Sequence, residues 1–165
     1  MPVFAIALAK AGFQVVGCGR RQEPLDETAA MAGGMEGLTC DVTDETSVDA
    51  MFAEIAKRHE RIDVVFNNAG NNIPPANFGE IELDGWKTVM DVNLNGAFLI
   101  ANRAYRMMRD QDPQGGRIIN NGSISAHVPR PNSIPDTATK HAVTGLTKAA
   151  ALDGRQHNIA VGLID

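Results

Sequence analysis

Apolar residues are gathered into short blocks, and the spacing inside each block alternates between a continuous run and a helical period. Residues 3–11, rich in Ala, Ile and Leu, predict a helix with Pro2 at its first position and Gly12 as its stop. Residues 13–17 form a short apolar run suited to a buried strand, and Gly19, Arg20 and Arg21 turn out of it into a weaker helix at 25–31. Residues 38–42 read as a second strand. Thr43 and Asp44 then stand as caps before Val48, Met51, Phe52 and Ile55, which recur at helical spacing and define one apolar face. The run at 62–66 is continuous, β-branched and aromatic, which predicts a parallel strand buried on both sides and ending in the loop Asn67-Asn68-Ala69-Gly70. A loop holding Pro74 and Pro75 precedes a long helical region at 84–109, broken by residues 110–116. A strand at 118–120, a Ser- and Pro-rich loop at 122–135, a helix at 137–152 and a last strand at 159–164 complete the chain.

Strands alternating with helices imply parallel pairing through right-handed crossovers. The expected fold is therefore α/β, a doubly wound Rossmann-like parallel sheet in one domain over residues 1–165. Ligand sites in such sheets lie beyond the carboxyl ends of the strands. Arg20, Asp41, the turn Asn68-Ala69-Gly70, Asn93 and Ser123 fall there.

Charge narrows the partners. A net charge of -5, with no cluster of Lys and Arg, argues against binding a nucleic-acid backbone. No apolar stretch approaches the roughly 20 residues of a membrane span, and the amino-terminal residues do not resemble an export signal. Cys18 and Cys40 lack metal-ligand spacing and read as free buried thiols, which suits a reducing cytoplasm; no metal site is expected. His59, His141 and His157 lie in polar helical surroundings and are expected to face solvent, and His127 reads as an ordinary loop residue.

The order of the short motifs adds chemistry. Asn67-Asn68-Ala69-Gly70 follows one strand, Asn93 sits within Asp91-Val92-Asn93-Leu94-Asn95-Gly96, Gly122-Ser123 follows the next strand, and Lys140 opens a helix. Together with Asp41-Val42, this order resembles the short-chain dehydrogenases/reductases over residues 3–165. The resemblance implies that Asp41 and Val42 flank an adenine and that Asn68, Ala69 and Gly70 lie against a cofactor ribose. It further implies that Ser123 holds the substrate oxygen, that Lys140 binds the nicotinamide ribose, and that Asn93 places a water in a proton relay to Lys140. Arg20 stands where the family often has an acid for the ribose hydroxyls. An Arg there can meet a 2'-phosphate instead, so NADP is favoured over NAD.

The same resemblance marks three departures. The position four before Lys140 should be a tyrosine and is Asp136. A tyrosine has a reference pKa of about 10 and can be tuned to give up a proton near neutrality, whereas an aspartate, at about 3.9, has none left to give. Asp136 and Lys140, four apart on a helix, are expected to pair, contributing about 0.3 to 0.5 kcal/mol. The family's first strand and its glycine-rich pyrophosphate turn do not occur in the sequence, so an opening in the middle of the sheet is expected. The Pro-Gly loop and lid that follow the family's strand equivalent to 159–164 do not occur either.

The expected function is NAD(P)-dependent hydride transfer between a small secondary alcohol and its carbonyl compound, impaired by Asp136, with Asn93, Ser123 and Lys140 as surviving catalytic positions. The alternative is a noncatalytic binding or assembly protein that keeps the sheet. Homo-oligomerisation is implied by the resemblance.

Overall fold

The computed structural model describes residues 2–165; Met1 lies outside the described residues. Helix α1 (Pro2–Lys10) leads into strand β1 (Val16–Gly19), helix α2 (Gln22–Ala32), strand β2 (Glu36–Thr39) and helix α3 (Glu45–His59). Strand β3 (Val64–Asn67) is followed by helix α4 (Leu83–Met90), a π-helical turn at Asp91–Gly96 and helix α5 (Ala97–Asp110). Strand β4 (Gly116–Asn121), helix α6 (Ile134–Gly154) and strand β5 (Ile159–Ile164) close the chain.

All pairings are parallel, but the strands form two sheets, β1-β2 and β3-β4-β5, with no ladder between β1 and β3. The expected opening in the sheet is thus present among the described residues. One hydrophobic cluster nevertheless spans both parts. Val48, Met51, Phe52 and Ile55 of α3 and Ile100, Ala101, Ala104 and Met108 of α5 pack on Val65, Ile118 and Ile159 of the three-stranded sheet, while Val16 and Leu38 join from the two-stranded one. A smaller cluster, Leu25, Ala32 and Met35, seats α2 against Ala5, Ile6 and Ala9 of α1.

Several expectations shift. The first strand begins three residues later than expected, at Val16, and Phe13 is exposed. The third strand is not buried on both sides: Val65 and Asn67 are buried, but Val64 and Phe66 are only half-buried because β3 pairs on one edge alone. Phe66 is partly covered by Phe4 of α1, with ring centroids 4.6 Å apart. Cys40 is buried as expected, whereas Cys18 is exposed, on a strand that bonds only to β2. Helix α6 starts three residues before the expected helix because Pro135, read as loop, fits the first helical turn, where its missing N–H costs nothing. Of the histidines, His141 is exposed, but His59 lies mostly buried 3.2 Å from Glu36 and His157 sits half-buried edge-on to Tyr105.

Local signals account for much of the rest. Asp44 caps α3 by accepting the N–H of Thr46, and Lys57, Arg58 and His59 complement the helix dipole at its other end. Arg103 of α5 is largely buried and bridges to α3 through Asp49 at 2.7 Å and Glu45 at 2.5 Å. Both carboxylates are more than half exposed, so each pair contributes at the level of a surface ion pair. Arg103→Ala is therefore expected to lower stability by about 1 kcal/mol, read as an earlier urea midpoint with an unchanged slope.

Candidate functional site

The carboxyl ends of the strands carry two cavities. The first, of about 250 Å³, is lined by Arg20, Thr39, Cys40, Asp41 and Ser47. Arg20 follows β1 directly, and Asp41 lies just beyond β2. The Asp41 carboxylate accepts the backbone N–H of Thr43 at 3.0 Å and its hydroxyl at 2.8 Å. Those two bonds, with a smaller contribution from the Arg20 charge, hold its pKa below the usual carboxylate range. The backbone N–H of Asp41 donates to Ser47 Oγ at 3.0 Å, which ties the strand exit to the first turn of α3.

The second cavity, of about 230 Å³, is lined by Asn68, Gly70, Asn71, Asn93, Asn121, Asp136 and Lys140. Four separate segments meet there: the turn after β3, the π-helical turn, the end of β4 and the first two turns of α6. Asn93 is nearly fully buried and grips the β3 turn, accepting the N–H of Asn71 at 2.8 Å on Oδ1 and donating Nδ2 to the Asn71 carbonyl at 2.9 Å. Asn121 Nδ2 donates to Asn68 Oδ1 at 3.0 Å and so joins the β3 and β4 exits.

The π-helical turn that carries Asn93 replaces the continuous helix expected across 84–109. Insertions of this kind recur where a helix must re-aim a side chain. Gly96, at its end, lets the turn close on the β2 exit: a Cβ there would lie 2.8 Å from Val42 Cγ2 and 3.2 Å from the Val42 carbonyl oxygen. Val42 thus supports the turn that holds Asn93.

Lys140 and Asp136 do not form the expected ion pair. Lys140 Nζ donates instead to the Asn121 carbonyl at 2.9 Å, because the half-buried stem of the lysine points into the β4 exit. Burial pushes the Lys140 pKa below the ordinary lysine range, opposed by the charges of Asp136 and Asp165. The Asp136 carboxylate has no hydrogen-bond or ion-pair partner among the described residues. Tyr105 is no substitute donor, since its hydroxyl is committed to the Asp153 carbonyl at 2.9 Å.

Ser123 lines neither cavity. It caps a short helical turn, its hydroxyl oxygen accepting the N–H of Ser125 at 3.1 Å while its own N–H donates to Asp165 Oδ1 at 2.9 Å. The other oxygen of that carboxylate lies 2.9 Å from His127 Nε2, so His127 is a paired residue rather than a free loop side chain. Gly122 makes the arrangement possible, since a Cβ there would meet Asp165 Oδ1 at 2.4 Å. Ala69 is exposed between the cavity residues Asn68 and Gly70.

Of the positions singled out from sequence, Asn68, Gly70, Asn93, Asp136 and Lys140 share one cavity, and Arg20 and Asp41 share the other. Asn71, Asn121, Ser47 and Asp165 were not foreseen. For Asn121 a signal was present, since a polar Asn-Asn pair ends the apolar run Ile118-Ile119 at a strand exit. For Asp165 there was none.

Comparison with known proteins gives the family and the fold. A family model described as short chain dehydrogenase matches residues 3–165. The chain is 40% identical over 153 residues to the 3beta-hydroxysteroid dehydrogenase of Mediterraneibacter gnavus, covering 90% of this chain and 54% of that protein. It is 32% identical over 158 residues to the L-fucose dehydrogenase of Bos taurus, covering 96% of this chain and 57% of that protein. The chain therefore spans less than two thirds of the length of these relatives. Among solved structures, an NAD+-bound xylitol dehydrogenase superposes with a TM-score of 0.95 at 28% identity, covering 99% of this chain and 64% of that one. A short-chain dehydrogenase/reductase from Mycobacterium marinum superposes with a TM-score of 0.92 at 32% identity, covering 98% and 67%. With the family model matching nearly every residue and solved relatives superposing on the fold, the chain belongs to the short-chain dehydrogenase family.

Proposed function

We propose that this chain is the dinucleotide-binding part of an NAD(P)-dependent oxidoreductase acting between a secondary alcohol and the corresponding carbonyl compound. The observation that carries the reading is the convergence of Lys140, Asp136, Asn68 and Asn93 on one cavity at the strand exits, with Arg20 and Asp41 in a second one beside β1 and β2. The donor set suits the two ends of a dinucleotide. A guanidinium matches a phosphate and a carboxylate matches an adenine amino group or ribose hydroxyl, while the lysine keeps N–H donors for a second ribose. When bound, the nicotinamide ring carries the hydride.

The chain's own residues bind, orient and handle the proton. Arg20 favours NADP over NAD by offering a bidentate fork to a 2'-phosphate. Val42 shapes the adenine end, and Asn68, Ala69 and Gly70 present the β3 turn to the ribose. Asn93 fixes that turn and, in this reading, a relay water. Ser123 retains a free O–H for the substrate oxygen, since its Oγ only accepts, from the Ser125 N–H. Asp136, shorter than a tyrosine by a ring and without a phenol to donate, impairs carbonyl reduction. The similar proteins named for hydroxysteroid, fucose and xylitol oxidation support a small hydroxylated substrate. Free Cys18 and Cys40 support placement in the reducing cytoplasm. Exposed Phe98 of α5 and Leu152 of α6 support homo-oligomer contacts. The common core supports one domain, and no described helix is long and apolar enough to cross a membrane.

Titration of the purified chain with NADPH, followed by the change in nucleotide fluorescence, tests the reading. Saturable binding is expected, and Arg20→Ala should weaken NADPH by about tenfold or more while changing NADH by less than about threefold, as expected for loss of a charge-assisted phosphate contact. Absence of binding sinks the reading. The unpaired Asp136 favours one other role, a noncatalytic binding protein. Saturable binding with no turnover, in the wild type and in Asp136→Tyr alike, would select it.

A further inference from the structure

The segment that leaves β4 is held to β5 first by backbone and then by a side chain. Asn121 pairs with Ile164, and the Gly122 N–H donates to the Ile164 carbonyl at 2.7 Å. Ser123 continues in extended backbone, with φ -173° and ψ 150°, and its N–H takes a carboxylate instead of a carbonyl, donating to Asp165 Oδ1 at 2.9 Å. The other oxygen of Asp165 lies 2.9 Å from His127 Nε2. Between these two contacts runs one short turn, closed by the N–H groups of Ala126 on the Ser123 carbonyl and of His127 on the Ile124 carbonyl, each at 2.9 Å. Asp165 therefore clasps both ends of the Ser123–His127 turn from just beyond β5. His127 is more than half exposed and Asp165 about a third, so their pairing adds little to stability. What it fixes is the geometry of the turn.

Resting on the oxidoreductase reading above, we infer that Asp165, braced by His127, is a positioning residue that acts through Ser123 and holds the serine hydroxyl toward the carbonyl oxygen of a bound substrate. With its backbone clasped and its Oγ accepting the Ser125 N–H at 3.1 Å, Ser123 has its O–H left to donate along a fixed direction. A donor aimed in advance stabilises the negative charge that develops on the oxygen as hydride arrives, without reorganising at that moment. The clasp also sets the serine relative to the lysine, because Asn121, two residues before Ser123, gives its carbonyl to Lys140 Nζ at 2.9 Å. The Asp165 charge, with that of Asp136, favours the protonated lysine, so a second route from Asp165 to the site has to be separated from the first.

A double-mutant cycle in the Asp136→Tyr chain, whose phenol supplies the proton, tests this with NADPH and diacetyl. Asp165→Ala is expected to lower kcat by about 10- to 100-fold, while the KM for diacetyl changes by less than about threefold and NADPH binding, followed by nucleotide fluorescence, by less than about twofold. Asp165→Asn keeps an oxygen for the Ser123 N–H and offers an N–H to neutral His127, so its kcat should stay within about threefold of the parent's. In a chain that also carries Ser123→Ala, adding Asp165→Ala should cost less than about twofold more, because the group it positions is gone. An equal fall with and without Ser123 overturns the inference. So does a fall in Asp165→Asn as deep as in Asp165→Ala, which would assign the effect to the charge felt by Lys140. An unchanged kcat in Asp165→Ala, or a fall matched by lost NADPH binding, overturns it as well. Each of these leaves the oxidoreductase reading in place, since the parent turns over. A parent that binds no NADPH, or binds it and reduces no diacetyl, overturns both.

Discussion

Asp136→Tyr is expected to raise the rate of carbonyl reduction by about 10²- to 10⁴-fold, the range contributed by a positioned general acid. Residue 136 lies one helical turn before Lys140 and lines the same cavity, so a phenol placed there would share the space into which the lysine's charge projects. That charge stabilises phenolate and draws the phenol's reference pKa of about 10 towards neutrality. Removing the aspartate also removes one of the two carboxylates that favour the protonated form of Lys140. Asp136→Phe is the control, because it supplies the ring without the hydroxyl. Steady-state reduction of diacetyl with NADPH should improve in the tyrosine variant and not in the phenylalanine one. Equal gains in both would mean that filling the cavity, rather than supplying a proton, is what the site lacked.

The reach of the sequence differs between the two halves of the problem. Element order and the last strand could be read directly, because a run such as 159–164 is apolar, β-branched and bounded by turn residues. The apolar face of α3 was also legible, through Val48, Met51, Phe52 and Ile55 at helical spacing. The half-exposure of Phe66 was not, because periodicity reports which residues favour burial and not whether a neighbouring strand is there to bury them. The same limit misplaced Cys18. At the site, motif order located Asn68, Asn93 and Lys140, yet it could not show that the lysine turns to the Asn121 carbonyl instead of pairing with Asp136 four residues away. A surface ion pair at that spacing contributes a few tenths of a kcal/mol, less than a good hydrogen bond made by a half-buried ammonium, so the local rule yields to tertiary geometry. Asp165 lay outside any motif because its role depends on Gly122 having no side chain across a strand pair.

Beneath that site runs a buried polar chain, which single-residue patterns do not reveal and which sets the second large expectation. Asn120 is 1% exposed; its Oδ1 accepts Asn67 Nδ2 at 3.1 Å and its Nδ2 donates to Thr147 Oγ1 at 2.8 Å. Asn67 reaches on to the Ala97 carbonyl at 2.8 Å, and Thr147 to the Val143 carbonyl at 2.7 Å. The chain therefore fastens β3 and β4 to the starts and middles of α5 and α6, directly under the turns that carry Asn68, Asn93 and Lys140. Asn120→Ala would strip one acceptor from the buried Asn67 amide and the Asn120 amide donor from Thr147, and leave a small void. With about 1 to 3 kcal/mol for each buried group left unsatisfied, the loss should be about 3 kcal/mol, read from urea unfolding of the whole chain. Thr147→Val in the same background removes the hydroxyl whose oxygen has lost its donor and keeps the shape. The double variant is expected to be less destabilised than the sum of the single changes by about 1 kcal/mol. Strict additivity would show that the asparagine and the threonine stabilise the fold independently, and that the strand exits are held by apolar packing alone.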